Sequence, residues 1–83
     1  MNKKAKKKVS EEIESLGKRV RALRKKAGYS SYDSFAFDKD ISRSQYFTYE
    51  KGTDMRFSSI VKIAKANGLT LSEFFAEGFY EID

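Results

Sequence analysis

Again and again in this chain, a stretch with helical patterning stops at a single glycine, and no proline interrupts any of them. Ile13, Leu16, Val20, Leu23 and Ala27 step by three and four, the spacing of one apolar helical stripe. Gly28 follows, suited to the left-handed position just past a helix end, with Tyr29 placed to fold back on the last turn. Gly52, Gly68 and Gly78 close three later stretches. A chain of 83 residues cut this way predicts a compact all-α bundle of five short helices in one domain.

The predicted boundaries follow from caps. Ser10 caps a helix that runs to Ala27, with Glu11 and Glu12 in its first turn, where the dipole favours acids. Ser31 caps a short helix, Tyr32–Asp38, with Phe35 and Ala36 facing inward. Lys39–Ile41 is a tight connection. Ser42 and Gln45 read as a capping box for a helix ending at Lys51. After a loop, Arg56–Asn67 is helical, with Phe57, Ile60, Val61 and Ala64 on one face. Thr70 and Glu73 form a second capping box for a last helix closed by Gly78, with Phe79 packing back on Phe74. Tyr80–Asp83 is a tail.

Composition removes several classes of function. There is no cysteine and no histidine, so the commonest metal ligands and the commonest general base are missing. The serines sit at caps with no base beside them, so no catalytic residue, metal or cofactor is expected and the chain does not read as an enzyme. No apolar run approaches the roughly 20 residues a bilayer requires, and no small-molecule substrate is indicated. A cytoplasmic protein without membrane attachment is the expectation.

The net charge of +5 equals the five lysines of residues 3–8, which leaves the remainder neutral overall. Residues 1–9 read as a flexible Lys-rich arm, either a solubilising tail or a nucleic-acid contact, ahead of a domain over 10–83. The neutral body is polarised. Lys18, Arg19, Arg21, Arg24, Lys25 and Lys26 crowd one segment, while Glu73, Glu77, Glu81 and Asp83 gather at the other end. Such asymmetry suggests a polyanion as partner.

Ser42–Lys51 carries the most information. On a helix starting at Arg43, residues 43, 44, 47, 48 and 51 share one side, and 45, 46, 49 and 50 the other. Tyr46 and Tyr49 therefore point inward, while Arg43, Ser44, Phe47, Thr48 and Lys51 point out. Short helix, tight turn and second short helix make a helix-turn-helix pattern, whose second helix enters the major groove of DNA. The outward residues have the chemistry to read base edges there. Arg bridges guanine O6 and N7, hydroxyls donate or accept, and a ring meets the thymine methyl.

The ordered strings LGKRVRALRKKAGYS, SYDSFAFDKDISRSQYFTYEKG and SIVKIAKANGLTLSEFF resemble the Cro/C1-type (XRE-type, lambda-repressor-like) helix-turn-helix regulators over roughly Leu16–Gly78. The resemblance implies a lambda-repressor-like, all-α DNA-binding domain and sequence-specific binding of double-stranded DNA by a small transcriptional regulator. It implies base reading by Arg43, Ser44 and Thr48 with Phe47 beside them. Backbone contacts would come from Ser31, Tyr32, Lys51, Thr53 and Arg56. Arg24 and Glu50 match an inward salt bridge tying the first helix to the recognition helix. A homodimer on two-fold sites is the family's common state, and in this chain Phe74–Phe79 or the exposed side of the last helix is the candidate surface for it. Tyr32 stands where the family usually has Gln, Asp40 where it has Gly, and Arg56 where it has a Ser cap, and the Gly28–Ser31 connection is one residue longer. A protein-binding adapter on the same fold and an antitoxin or phage-type controller are the alternative readings.

Overall fold

A computed structural model describes residues 2–79, with side chains for residues 11–79. Five helices follow in order: α1 Asn2–Lys26, α2 Tyr32–Asp38, α3 Arg43–Lys51, α4 Phe57–Ala66 and α5 Leu71–Phe75. Among the described residues there is no strand, and no helix is long and apolar enough to cross a membrane. The C-terminal tail, with Glu81 and Asp83 of the acidic end, lies outside the described residues.

The caps act as the sequence suggests, with exceptions. The Ser31 hydroxyl accepts from the Ser34 amide at 3.1 Å. At Thr70 the capping box is complete, its hydroxyl accepting from the Glu73 amide while Glu73 accepts from the Thr70 amide. Ser42 accepts from the Gln45 amide at a long 3.4 Å, and Gln45 itself is exposed. Two expected boundaries are wrong. Helix α1 starts at Asn2, which places Ser10 inside it, because Lys and Ala are good helix formers and nothing there breaks the pattern. Helix α5 ends at Phe75 rather than running to Gly78, although the Phe79 ring does return to within 6.4 Å of Phe74.

The turn between α2 and α3 has a definite chemistry. The Ile41 amide donates to the Ala36 carbonyl at 2.9 Å and the Asp40 amide to the Phe37 carbonyl at 3.2 Å. This is the bond pair of a Schellman motif, and the same pair closes α1 at Gly28 and Tyr29. The motif needs a left-handed residue. Asp40 supplies it at φ 58, the one non-glycine with positive φ among the described residues. Asp tolerates that region better than most residues, so the turn forms without the family's usual glycine.

The core is built from Val20, Phe35, Tyr46, Ile63 and Phe74, all fully buried, with Leu16, Leu23, Ala36, Ile41, Tyr49, Met55, Ile60 and Ala64 around them. Each large side chain withdrawn from water contributes about 1.5–3 kcal/mol. Phe57 departs from the expected face of α4. It opens the helix at the edge of the core and stays 62% exposed, while Ile63 takes the inward position.

Candidate nucleic-acid interface

Helix α3 has two sides. Tyr46 and Tyr49 are buried against the core, the Phe35 and Tyr46 rings standing 5.1 Å apart. The Tyr49 hydroxyl donates to Ser59 on α4 at 3.0 Å, fixing the C-terminal half of α3 from below. Arg43, Ser44, Phe47, Thr48 and Lys51 all lie on the exposed side.

The outward residues are not equally free. The Thr48 hydroxyl donates to the Gln45 carbonyl at 2.7 Å, so its proton is committed and its lone pairs remain to accept. Ser44 has its hydroxyl 3.4 Å from that of Ser42. Phe47 is 39% exposed, yet its ring is held: Tyr32 packs against it at 4.9 Å and the Lys51 ammonium stands 5.3 Å from its centroid. Tyr32, Phe47 and Lys51 thus form one stack across α2 and α3. The stack forms the wall of a cleft of about 560 Å³ whose other side carries Lys18 and Arg21 of α1.

Beneath that cleft lies a buried ion pair. Arg24 donates through Nε to Glu50 at 2.7 Å and through Nη2 at 2.9 Å, and through Nη1 to the Tyr29 carbonyl at 3.0 Å. The two side chains are only 6% and 9% exposed. The hydrogen bonds to Glu50 raise the Arg24 pKa, against the opposing effect of burial. The Tyr46 hydroxyl is buried beside the pair, with no hydrogen-bond partner among the described residues. Burial first, and Glu50 nearby second, push its ionisation far above the usual phenol range. The pair ties α1 to α3, so the presenting helix is oriented from its inner side.

The remaining expected contact residues are more scattered. Ser31 is exposed at the N-cap of α2. Thr53 is half-buried in the loop after α3. Arg56 is exposed at the N-cap of α4, where its extended backbone brings no side-chain cap bond.

The basic segment of α1 is divided between the surface and the interior: Arg24 turns inward as its pairing with Glu50 implies, and Arg19 turns inward against expectation. The Arg19 Nε donates to the Phe74 carbonyl at 2.6 Å and Nη2 to the Glu73 carbonyl at 2.9 Å, with the guanidinium 5.6 Å from the Phe74 ring centre. Glu77 stands 3.6 Å away. Arg19 clamps the end of α5 and is no part of a free cationic surface. Lys18, Arg21, Lys25 and Lys26 remain exposed.

Two residues that the sequence did not single out also shape the interface. Gly17 lies against the backbone of Gly52, where α1 crosses the end of α3. Asp33, in the first turn of α2, stands 3.6 Å from the Arg43 Nε. A glycine within a helical pattern was the available signal for the first. No local pattern announced the second.

Comparison with known proteins agrees with this geometry. Residues 20–74 match the family model described as Helix-turn-helix. Control protein C.MunI of Mycoplasma sp. is 34% identical over 63 residues, covering 75% of this chain and 85% of that protein. No solved structure matches the chain. With two-thirds of its length inside that model and its α2–turn–α3 unit intact, the chain belongs to the Cro/C1-type helix-turn-helix family of DNA-binding transcriptional regulators.

Proposed function

We propose that α3 lies in the major groove of duplex DNA and that Arg43, Ser44, Phe47 and Thr48 meet base edges there. The observation that supports this is the division of α3 into a buried tyrosine side and an exposed side carrying a guanidinium, two hydroxyls, a ring and an ammonium. Ser31, Tyr32, Lys51, Thr53 and Arg56 take the phosphates that flank the groove. The Lys-rich residues 1–9 add contacts that do not depend on sequence. The protein acts in the cytoplasm as a homodimer on two-fold sites, and the exposed Phe75 at the end of α5, with Phe79 packed beside it, is the surface offered to the second copy. The similarity to a protein named a control protein fits a small regulator.

Selection from a random-duplex pool, followed by titration at two salt concentrations, tests the reading. One enriched sequence should emerge, and affinity should fall steeply as salt rises. Arg43→Ala should cost roughly 1–3 kcal/mol and relax preference at one position per half-site. No binding at low salt would sink the proposal and favour a protein-binding role for this face.

A further inference from the structure

Arg43 opens α3, and Asp33 sits in the first turn of α2. The Arg43 Nε and the Asp33 Oδ1 are 3.6 Å apart, with the two side chains 71% and 52% exposed. Ion pairs this open to water contribute little to stability. The geometry has a different use. A guanidinium carries one N–H on Nε and two on each Nη, arranged in a flat fork. A carboxylate 3.6 Å from Nε, an ion-pair contact longer than a hydrogen bond, draws that side of the fork toward α2 and leaves its terminal Nη edge open. That open edge matches guanine O6 and N7. Both residues line one shallow depression between α2 and α3, with Phe37 and Ile41 on its sides. The carboxylate also places a negative charge close to where phosphates approach, which weakens sequence-independent binding. Lower general affinity and a pre-aimed arginine both sharpen discrimination.

We propose that Asp33 is a positioning residue for base discrimination, holding the Arg43 Nε so that the Nη edge meets a guanine in the major groove. The proposal rests on the reading of Arg43 as a base contact.

The test uses the full chain and the duplex enriched from a random pool. Binding is measured to that duplex and to one with the Arg43-dependent guanine pair replaced, for the parent, Asp33→Asn, Asp33→Glu, Arg43→Ala and the Asp33→Asn/Arg43→Ala double variant. Circular dichroism melts confirm folding of each. Asp33→Asn should bind random duplex more tightly and lose guanine preference by about 3- to 10-fold, the scale of freeing one immobilised side chain. Asp33→Glu should recover part of the preference, and Asp33→Asn should add nothing once Arg43 is alanine. Full preference in Asp33→Asn, while Arg43→Ala loses it, overturns the role of Asp33 and leaves the Arg43 reading standing. Tighter operator binding by Asp33→Asn with preference unchanged also overturns it, showing a merely sequestering charge. If Arg43→Ala leaves preference intact, the Arg43 reading falls and this proposal falls with it.

Discussion

Gly17 and Gly52 meet backbone to backbone. A methyl added at Gly17 would stand 2.7 Å from the Gly52 nitrogen, 2.8 Å from its Cα and 2.9 Å from the Glu50 carbonyl oxygen. None of these neighbours is the end of a flexible side chain, so none can give way cheaply. The contact lets α1 lie directly on the C-terminal end of α3, and it brings Arg24 within reach of Glu50. Two small residues far apart in sequence therefore set the position of the presenting helix.

The substitution Gly17→Ala follows from this contact. In an open helix, alanine would gain about 1 kcal/mol over glycine. Here the clash outweighs that gain, and overpacking of this kind costs about 1–3 kcal/mol. For a domain of this size the thermal midpoint should fall by about 4–24 °C. A melt of Gly17→Ala at or above the parent's would show that the crossing has slack.

The pair Arg24–Glu50 has a sharper signature, because it is bidentate and nearly dry. Removing either partner leaves a buried charge uncompensated, at about 3–5 kcal/mol. Arg24→Met and Glu50→Leu should each be severely destabilising, yet the double variant should recover more than half of either loss in urea unfolding. Simple additivity of the two losses would mean that the pair acts as two independent groups.

Sequence carried much of this fold, for reasons that can be named. The start of α2 and both ends of α3 sit at a serine cap or a glycine, and Gly68 follows α4, which is local chemistry readable from neighbours. The inward turn of Tyr46 and Tyr49 follows from helical spacing alone. Arg19 shows where this fails. Its clamp on Phe74 joins residues 55 positions apart, and no local pattern names the acceptor. A weak signal was present, since Arg19 lies at the stripe's own spacing between Leu16 and Leu23, where a charge needs a partner inside. Phe57 fails in the opposite sense. Its spacing puts it on the apolar face of α4, but the core ends before reaching it. In the site, the face was legible, but the restraints on it were not. The hold of Tyr32 on Phe47 and of Asp33 on Arg43 depends on how α2 packs against α3.

Tyr46 predicts an alkaline weakness. Its phenol is held protonated far above the usual range by burial, then by Glu50. The unfolded chain releases this proton near pH ~10, while the folded chain retains it. The stability this group contributes is therefore full below pH ~10 and is lost as pH rises above it, by up to about 1.4 kcal/mol per pH unit. Tyr46→Phe keeps the ring and deletes a hydroxyl that has no partner among the described residues. Its stability at neutral pH should equal or exceed the parent's, with a shallower decline above pH ~10. Tyr29 is also raised, by its hydrogen bond to Asp38, but that bond is exposed, so Tyr29→Phe should change the profile less. An unchanged alkaline slope in Tyr46→Phe would remove Tyr46 as its source.

Phe47 allows a test at the level of one methyl group. Its ring is braced by Tyr32 and Lys51 on the exposed side of α3, so it offers a fixed apolar surface rather than a mobile one. If that surface covers a thymine methyl, replacing the thymine by uracil in the selected duplex removes one buried methyl, about 0.8 kcal/mol, or roughly fourfold in affinity. Scanning uracil through the site should find one such position per half-site. Phe47→Ala should bind more weakly overall and become indifferent to uracil at that position alone. Tyr32→Ala, which removes the brace and keeps the ring, should show a reduced penalty there. Equal sensitivity of Phe47→Ala and the parent at every uracil position would mean that the ring faces no thymine.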